Sequence, residues 1–145
     1  MGNALEANQD LERISAAIRS HPDVLEVRWQ VSAELKDWAV CIDAARAMTE
    51  VAPERPFGWI HFSFALHELK RTQEAWDNLS AAVEKFPGEP TISYNLACYA
   101  CQLGRRAEAE EWLQRAFQIG DTRRLKSMAL KDPDLKPLWE RIEGL

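Results

Sequence analysis

The chain has 145 residues, of which 46% are hydrophobic and 28% are charged, the proportions of an ordinary globular protein. Its net charge of −5 at pH 7 opposes non-specific nucleic-acid binding, which requires a basic surface. No apolar segment approaches the roughly 20 residues that span a bilayer, and the first residues lack the pattern of a secretory signal. With three cysteines, an odd number, the composition predicts a cytoplasmic protein that binds neither nucleic acid nor membrane.

Residues 8–21 are predicted to form an N-terminal helix, preceded by a frayed lead over residues 1–7. Leu11, Ile14 and Ile18 fall on one face of a helix with 3.6 residues per turn. The pair His21-Pro22 ends this helix, because the residue before a proline is disfavoured in the α region. A single amphipathic helix cannot bury its own apolar stripe, so we expect it to cap the elements that follow.

Three segments come next, and each begins at a proline. Pro22, Pro56 and Pro90 are evenly spaced along the chain, and they open the segments 22–55, 56–89 and 90–121. The apolar pattern predicts two helices, A and B, in each segment, over 23–35 and 38–51 in the first and over 57–70 and 72–86 in the second. Gly104 is expected to end helix A of the third segment, because glycine readily adopts the left-handed conformation found at helix C-termini.

Residues 122–145 are predicted to form a C-terminal cap of two helices. The first covers 122–130. The second is short and opens at Asp132-Pro133, the pattern of an N-cap residue followed by proline at the first helical position. Its inward-facing residues are expected to be Leu135, Leu138, Trp139 and Ile142.

The second and third segments resemble a known helical repeat. Residues 59–87 show Trp59-x2-Phe62-Ser63-x2-Leu66, then Ala75-x3-Leu79, then Ala82 and Pro87, and the third segment shows Ser93-x2-Leu96-Ala97-x2-Ala100 and Ala109-x3-Leu113. This order is similar to the tetratricopeptide repeat (TPR) of about 34 residues, with its W-x2-L-G-x2-Y, A-x3-F and late proline. The interval between the three prolines equals this repeat length. The resemblance implies one all-α domain, a right-handed α-solenoid of three TPR-like helix-turn-helix repeats with an N-terminal helix and C-terminal capping helices.

The first segment departs most from the TPR pattern. Trp29 stands where helix A of a TPR has a small residue, whereas the corresponding positions of helix B hold the small residues Cys41 and Ala45. We expect a volume exchange, in which small residues on helix B accommodate the large residue on helix A, because protein cores are densely packed.

The resemblance also implies a function. TPR arrays hold a peptide or a partner helix in the concave groove formed by successive A helices, in a helix-in-groove or extended mode. The sequence thus predicts a non-enzymatic protein–protein interaction module, an adaptor or scaffold, with no cofactor. The groove residues, carried over by repeat position, are Gln30, Glu34, Ile60, His61, Phe64, His67, Tyr94, Asn95, Cys98 and Cys101.

Two alternative functions stay open. Cys98 and Cys101 form a C-x-x-C motif, and His67 lies one repeat length before Cys101, so these three residues could make the protein a metal- or thiol-regulated binder. The motif falls inside a predicted helix rather than at a helix N-terminus, which weakens a redox interpretation, and a zinc site requires further ligands. The second alternative is a scaffold that associates with itself.

Two surface features complete the sequence-based predictions. Basic residues recur near the A–B turns, at Lys36, Lys70-Arg71 and Arg105-Arg106, which places a basic edge along the repeats. Solvated turn residues that complement the helix dipole also explain this pattern. The chain contains no G-x-S-x-G, H-E-x-x-H or glycine-rich phosphate loop, so it is not expected to be an enzyme.

Overall fold

The computed structural model describes the backbone of residues 2–13 and 16–145 and the side chains of residues 3–10 and 18–145. Every secondary-structure element in these ranges is a helix. The chain folds into two compact units, Met1–Arg71 and Thr72–Leu145. The boundary between them falls inside the segment 56–89, and the division of the chain into an N-terminal helix, three repeats and a cap stays a prediction.

The helices of the first unit, within the described residues, are α1 Gly2–Arg13, α2 Ala16–Arg19, α3 Pro22–Glu34, α4 Trp38–Val51 and α5 Phe57–Glu68. Residues 2–7 are helical rather than frayed, and α1 packs on α3. Of the apolar face predicted for the N-terminal helix, Ile18 is exposed, and the side chains of Leu11 and Ile14 lie outside the described residues.

The second unit contains α6 Thr72–Ser80, α7 Pro90–Gln102, α8 Arg106–Ile119, α9 Thr122–Ala129, a 3-10 helix over Pro133–Leu138 and α10 Trp139–Glu143. α6 ends earlier than the predicted residue 86. The backbone N–H groups of Ala82 and Lys85 bond to carbonyls only three residues before them, a tighter winding than that of an α-helix.

The last helical segment of the chain begins at the residues that the sequence predicts. The carboxylate of Asp132 accepts a hydrogen bond from the backbone N–H of Asp134 at 3.0 Å, and Pro133 follows as the first helical residue. Trp139 is half-buried, and its indole N–H donates to the carbonyl of Ala129 at 2.9 Å. The other predicted inward-facing residues are all buried, namely Leu135, Leu138 and Ile142.

A single turn geometry ends α3, α5 and α7. Lys36, Lys70 and Gly104, which follow one another at one repeat length, have positive φ angles of 57°, 63° and 80°. In each turn the next backbone N–H reaches back five residues to a helix carbonyl, in the pairs Asp37 to Ser32, Arg71 to Leu66 and Arg105 to Ala100. This is the Schellman pattern of a helix C-terminus. Gly104 has the conformation that the sequence predicts, and two lysines adopt it as well.

Small residues allow the close approach of α4 and α5. A Cβ atom added at Gly58 would lie 2.8 Å from Thr49 Cγ2 and 2.9 Å from the Thr49 backbone nitrogen. Next to this contact, Leu25, Met48 and Ala52 form a buried cluster. The N-terminal half of α5 is thereby fixed against α4, which positions the aromatic side chains of α5.

Candidate functional site

An aromatic cluster in the first unit joins α3, α4 and α5. The ring of Trp29 meets the rings of Phe57, His61 and Phe64 edge to face, at centroid distances of 6.2, 4.5 and 5.9 Å. Trp38 lies 6.0 Å from Phe64. Such edge-to-face pairs are favourable beyond the area they bury, because the positive edge of one ring faces the negative face of the next. The cluster therefore supports Phe64 from two helices.

Trp29 contacts α5 with its ring and α4 with its backbone. The ring packs against Phe57, His61 and Phe64 of α5. Cys41, which is fully buried on α4, approaches the Trp29 backbone, with its thiol directed at the Trp29 carbonyl at 3.5 Å. The volume exchange between the Trp29 ring and the small residues Cys41 and Ala45 stays a prediction. Burial, with the nearby charge of Asp37, raises the pKa of the Cys41 thiol to about 12.

His61 is held as a neutral imidazole within this cluster. Its ring stacks on Phe57 at 3.7 Å with an interplanar angle of 14°, and its Nδ1–H donates to the Phe57 carbonyl at 2.8 Å. Burial lowers the pKa of His61 because the charged form is poorly solvated, and the bond to the carbonyl offsets only part of this effect. His61 thus contributes a flat, uncharged surface at neutral pH.

The groove residues predicted in the first unit differ in accessibility. Phe64 is 38% exposed, whereas Ile60 is buried. Gln30 and Glu34 are exposed on α3, and His61 and His67 are half-buried on α5. We call the set Gln30, Glu34, Ile60, His61, Phe64 and His67 the aromatic face. Its most accessible large apolar side chain is Phe64.

Most of the groove residues predicted on α7 lie under residues 132–138, which we call the C-terminal segment. Tyr94, Cys98 and Cys101 are buried, and the 3-10 helix packs on α7. The hydroxyl of Tyr94 donates to Asp132 Oδ2 at 2.9 Å, and the Cys98 thiol lies 3.7 Å from the same oxygen. Of the four residues predicted on this helix, only Asn95 is more than marginally accessible. We call Tyr94, Cys98, Cys101 and Gln102 the α7 face.

The thiols of the α7 face are protonated at neutral pH. Burial is the main reason that the pKa of Cys98 rises well above its ordinary value, and the carboxylates of Asp132 and Asp134 raise it further. The pKa of Cys101 is also raised by burial, although Arg106 acts in the opposite direction. A protonated thiol is a poor nucleophile, so this C-x-x-C lacks the activation that redox chemistry requires.

A candidate metal-ligand group in the second unit differs from the predicted set. The Cys98 sulfur and one carboxylate oxygen each from Asp132 and Asp134 lie within 4.8 Å of one another. His67 belongs to the first unit. Sequence reasoning missed both aspartates, although Asp132 follows Cys98 by one repeat length.

Sequence reasoning also missed a tryptophan pair in the second unit. Trp76 and Trp112 meet edge to face at 6.1 Å. Arg105, part of the predicted basic edge, has its guanidinium 5.8 Å from the Trp76 ring and donates to the Gln73 side chain at 3.0 Å. One residue of this edge is therefore anchored by cation–π and hydrogen-bond contacts. The function of the edge stays a prediction.

Known proteins match this chain in structure, whereas sequence families do not. No protein-family model and no curated protein matches the chain. Among the described residues, no helix is both long and apolar enough to cross a membrane.

Solved structures do match. MamA MSR-1 C2 aligns with a TM-score of 0.70 and 22% identity, over 84% of this chain and 70% of that one. YrrB, described as a TPR protein with an unusual peptide-binding site, aligns with a TM-score of 0.74 and 19% identity, over 90% of this chain and 68% of that one. PcrH, solved with the chaperone binding region of PopB, aligns with a TM-score of 0.64 and 15% identity, over 91% and 97%. At these identities the likeness establishes the fold alone, and the chain has the all-α fold of TPR proteins that its sequence pattern predicts.

Proposed function

We propose that this chain is a non-enzymatic protein-interaction module, an adaptor or scaffold, that binds a peptide or a partner helix at its aromatic face. The observation that carries the proposal is the exposed ring of Phe64 on a supported aromatic cluster. A cytoplasmic setting is part of the proposal, and the three free cysteines fit a reducing compartment.

The cluster makes Phe64 suitable as a binding anchor. Contacts with Trp29 and Trp38 restrict the Phe64 ring before a ligand arrives, so little side-chain entropy is lost on binding. Covering the remaining 38% of its surface contributes on the order of 1–2 kcal/mol from the hydrophobic effect. Anchors of this kind, an aromatic ring in a packed setting, dominate the energetics of many interfaces.

The charges beside the face favour one class of ligand. α3 carries Glu26 and Glu34 one turn before and one turn after Gln30, and Glu34 is exposed. An acidic border repels carboxylates and attracts basic groups. The ligand that fits is a peptide with an apolar or aromatic anchor and a basic residue beside it.

Two of the matching structures are described by the peptides or protein segments they bind, which supports this class of function. The C-x-x-C motif supplies no activated nucleophile, because its thiols are held protonated by burial and neighbouring carboxylates. The chain is therefore better suited to binding than to covalent chemistry.

The test is to select, from a random display library, the peptides that bind the full chain. The affinity of each selected peptide for the chain is then measured. We expect enrichment of an aromatic or large apolar residue with a neighbouring Lys or Arg. Phe64→Glu should weaken binding at least tenfold, which corresponds to about 1.4 kcal/mol. Val51→Glu is the matched control, because Val51 is also an exposed apolar residue of the first unit but lies on α4, outside the aromatic face.

Circular dichroism must show that both variants are folded. Equal binding by Phe64→Glu and the wild type would contradict the proposal, and so would a selection that yields no consensus. Light scattering over a concentration series tests whether the chain associates with itself. A wild-type oligomer that Phe64→Glu dissociates, with Val51→Glu unaffected, would show that the occupant of the face is a second copy of the chain.

A further inference from the structure

We propose that Cys98, Asp132 and Asp134 bind a divalent transition-metal ion of the zinc class, which fastens the C-terminal segment to α7. Cys98 lies in the middle of α7, whereas the two aspartates flank Pro133 at the start of the 3-10 helix. One ion would therefore join two elements that α8 and α9 separate in the chain. This inference is independent of the proposed binding of a peptide to the first unit.

The ligand spacing fits a tetrahedral ion. Bond lengths of about 2.3 Å to sulfur and about 2.0 Å to oxygen place the two ligand atoms about 3.5 Å apart across a tetrahedral angle. The Cys98 sulfur and Asp132 Oδ2 are 3.7 Å apart, and the three ligand atoms all lie within 4.8 Å.

The surroundings of Asp132 already orient its carboxylate. Its Oδ2 accepts from the Tyr94 hydroxyl at 2.9 Å, and its Oδ1 accepts from the Asp134 backbone N–H at 3.0 Å. Outer hydrogen bonds of this kind hold a metal ligand in position and raise its affinity. The aspartates are only partly buried, so an ion can enter from solvent while the thiol stays protected.

Cys101 is a second thiol on the same face of α7, one turn after Cys98. It is only 5% exposed and forms no disulfide. The neighbouring Gln102 donates its side-chain amide to the Asp134 carbonyl at 2.9 Å, which places this turn of α7 against the same segment. The Cys101 sulfur is not among the ligand atoms that lie within 4.8 Å of one another, so water is the expected fourth ligand.

The combination of one thiolate and two carboxylates favours a soft or borderline divalent cation. Binding deprotonates Cys98, so a sulfur–metal bond forms and one proton leaves to solvent. One thiolate and two carboxylates then carry three negative charges against the two positive charges of the ion. Thiolate ligands select zinc-like ions, whereas Ca²⁺ and Mg²⁺ require six or more oxygen ligands or a shell of retained water.

The test uses Co²⁺ as a spectroscopic probe of the reduced, chelator-treated full chain. We expect a thiolate-to-cobalt charge-transfer band and the intense visible bands of tetrahedral Co²⁺, both removed by added Zn²⁺. Cys98→Ser should abolish the charge-transfer band, because Cys98 supplies the thiolate. Asp134→Asn, at a partly exposed position, should weaken cobalt binding at least tenfold with the fold intact.

Cys41→Ser is the matched control, because Cys41 is the buried thiol of the first unit. It should leave the spectrum and the affinity unchanged. Tyr94→Phe should weaken cobalt binding about tenfold, in the range measured for outer hydrogen bonds to metal ligands. A wild-type chain without a charge-transfer band at millimolar Co²⁺ would overturn the proposal, as would folded Asp134→Asn with wild-type affinity.

Discussion

The aromatic face and the α7 face correspond in the repeat pattern, yet only the first is open. Phe64 and Cys98 are one repeat length apart, on helices that end in the same turn. Phe64 is 38% exposed and is supported by two tryptophans, whereas Cys98 is 5% exposed and lies beneath the C-terminal segment. Repeat position determines on which face of its helix a side chain lies. The segment that packs on that helix determines whether the side chain is covered.

The side chains at the two faces suit these different situations. The α7 face presents two small thiols, and its Tyr94 and Gln102 side chains both donate hydrogen bonds to the covering segment. The apolar residues Leu135 and Leu138 of that segment are almost completely buried. The aromatic face presents large rings instead. The difference therefore predicts a permanent structural contact at α7 and an exchangeable partner at the aromatic face.

Leu135→Ala should have the largest effect, because it weakens the cover on the α7 face. Leu135 is fully buried, and removing its side chain leaves a cavity that costs about 3 kcal/mol of the free energy of unfolding. Urea denaturation measures this loss. The thiols of Cys98 and Cys101 should also react faster with a disulfide reagent, while Cys41 of the first unit changes little.

Met128→Ala is the control for Leu135→Ala, because Met128 lies on the neighbouring α9 and is exposed. It should change stability by less than about 0.5 kcal/mol. If Leu135→Ala is equally mild, the cover is not a permanent part of the second unit and the contrast between the two faces is wrong.

The sequence predicts the parts of this contrast that depend on local signals. Pro22 at a helix start, Gly104 in the left-handed turn and Asp132 as an N-cap all follow from rules that act within a few residues. The early end of α6 at Ser80 does not, because no helix-breaking residue occurs before Pro87. Phe64, which repeat position assigns to the groove, is 38% exposed, and its place in a binding groove stays a prediction.

The remaining features depend on contacts between distant residues. Sequence pattern did not predict that the Trp29 ring packs on α5. It also left the α7 face open, whereas Asp132 and Asp134 bind there. Local periodicity says which face of a helix is apolar, but it does not say which other element will cover that face.

Gly58→Ala should have the second largest effect, because it acts on the support of the aromatic face. The new Cβ would lie 2.8 Å from Thr49 Cγ2 and 2.9 Å from the Thr49 backbone nitrogen, so α4 and α5 must separate. Overpacking of this kind costs about 1–3 kcal/mol, and the better helix propensity of alanine offsets up to about 1 kcal/mol. We expect a net loss of about 1–2 kcal/mol in urea denaturation.

Gly88→Ala is the matched control, since a Cβ at Gly88 meets nothing within 4 Å. It should be close to neutral. If Gly58→Ala is also neutral, α4 and α5 are not held at the separation described, and the cluster beneath Phe64 is less rigid than the proposed binding role requires.

Lys70→Gly should have the smallest effect, and it tests the shared turn on which the comparison of the two faces depends. Lys70 has a φ of 63°, a conformation that costs a residue with a Cβ about 1–2 kcal/mol, whereas Gly104 adopts it at the equivalent position with a φ of 80°. Glycine removes this strain but gives the unfolded chain more freedom, so we expect a net gain of about 0.5–1 kcal/mol. The reverse change, Gly104→Lys, should cost a similar amount, because a Cβ there meets no neighbour within 4 Å and only the backbone conformation opposes it.

Urea denaturation of both variants measures the two effects, and opposite signs of similar size would establish that the turns after α5 and α7 are equivalent. If both variants lose stability, the Lys70 side chain makes stabilising contacts of its own. The turns after α5 and α7 are then not equivalent.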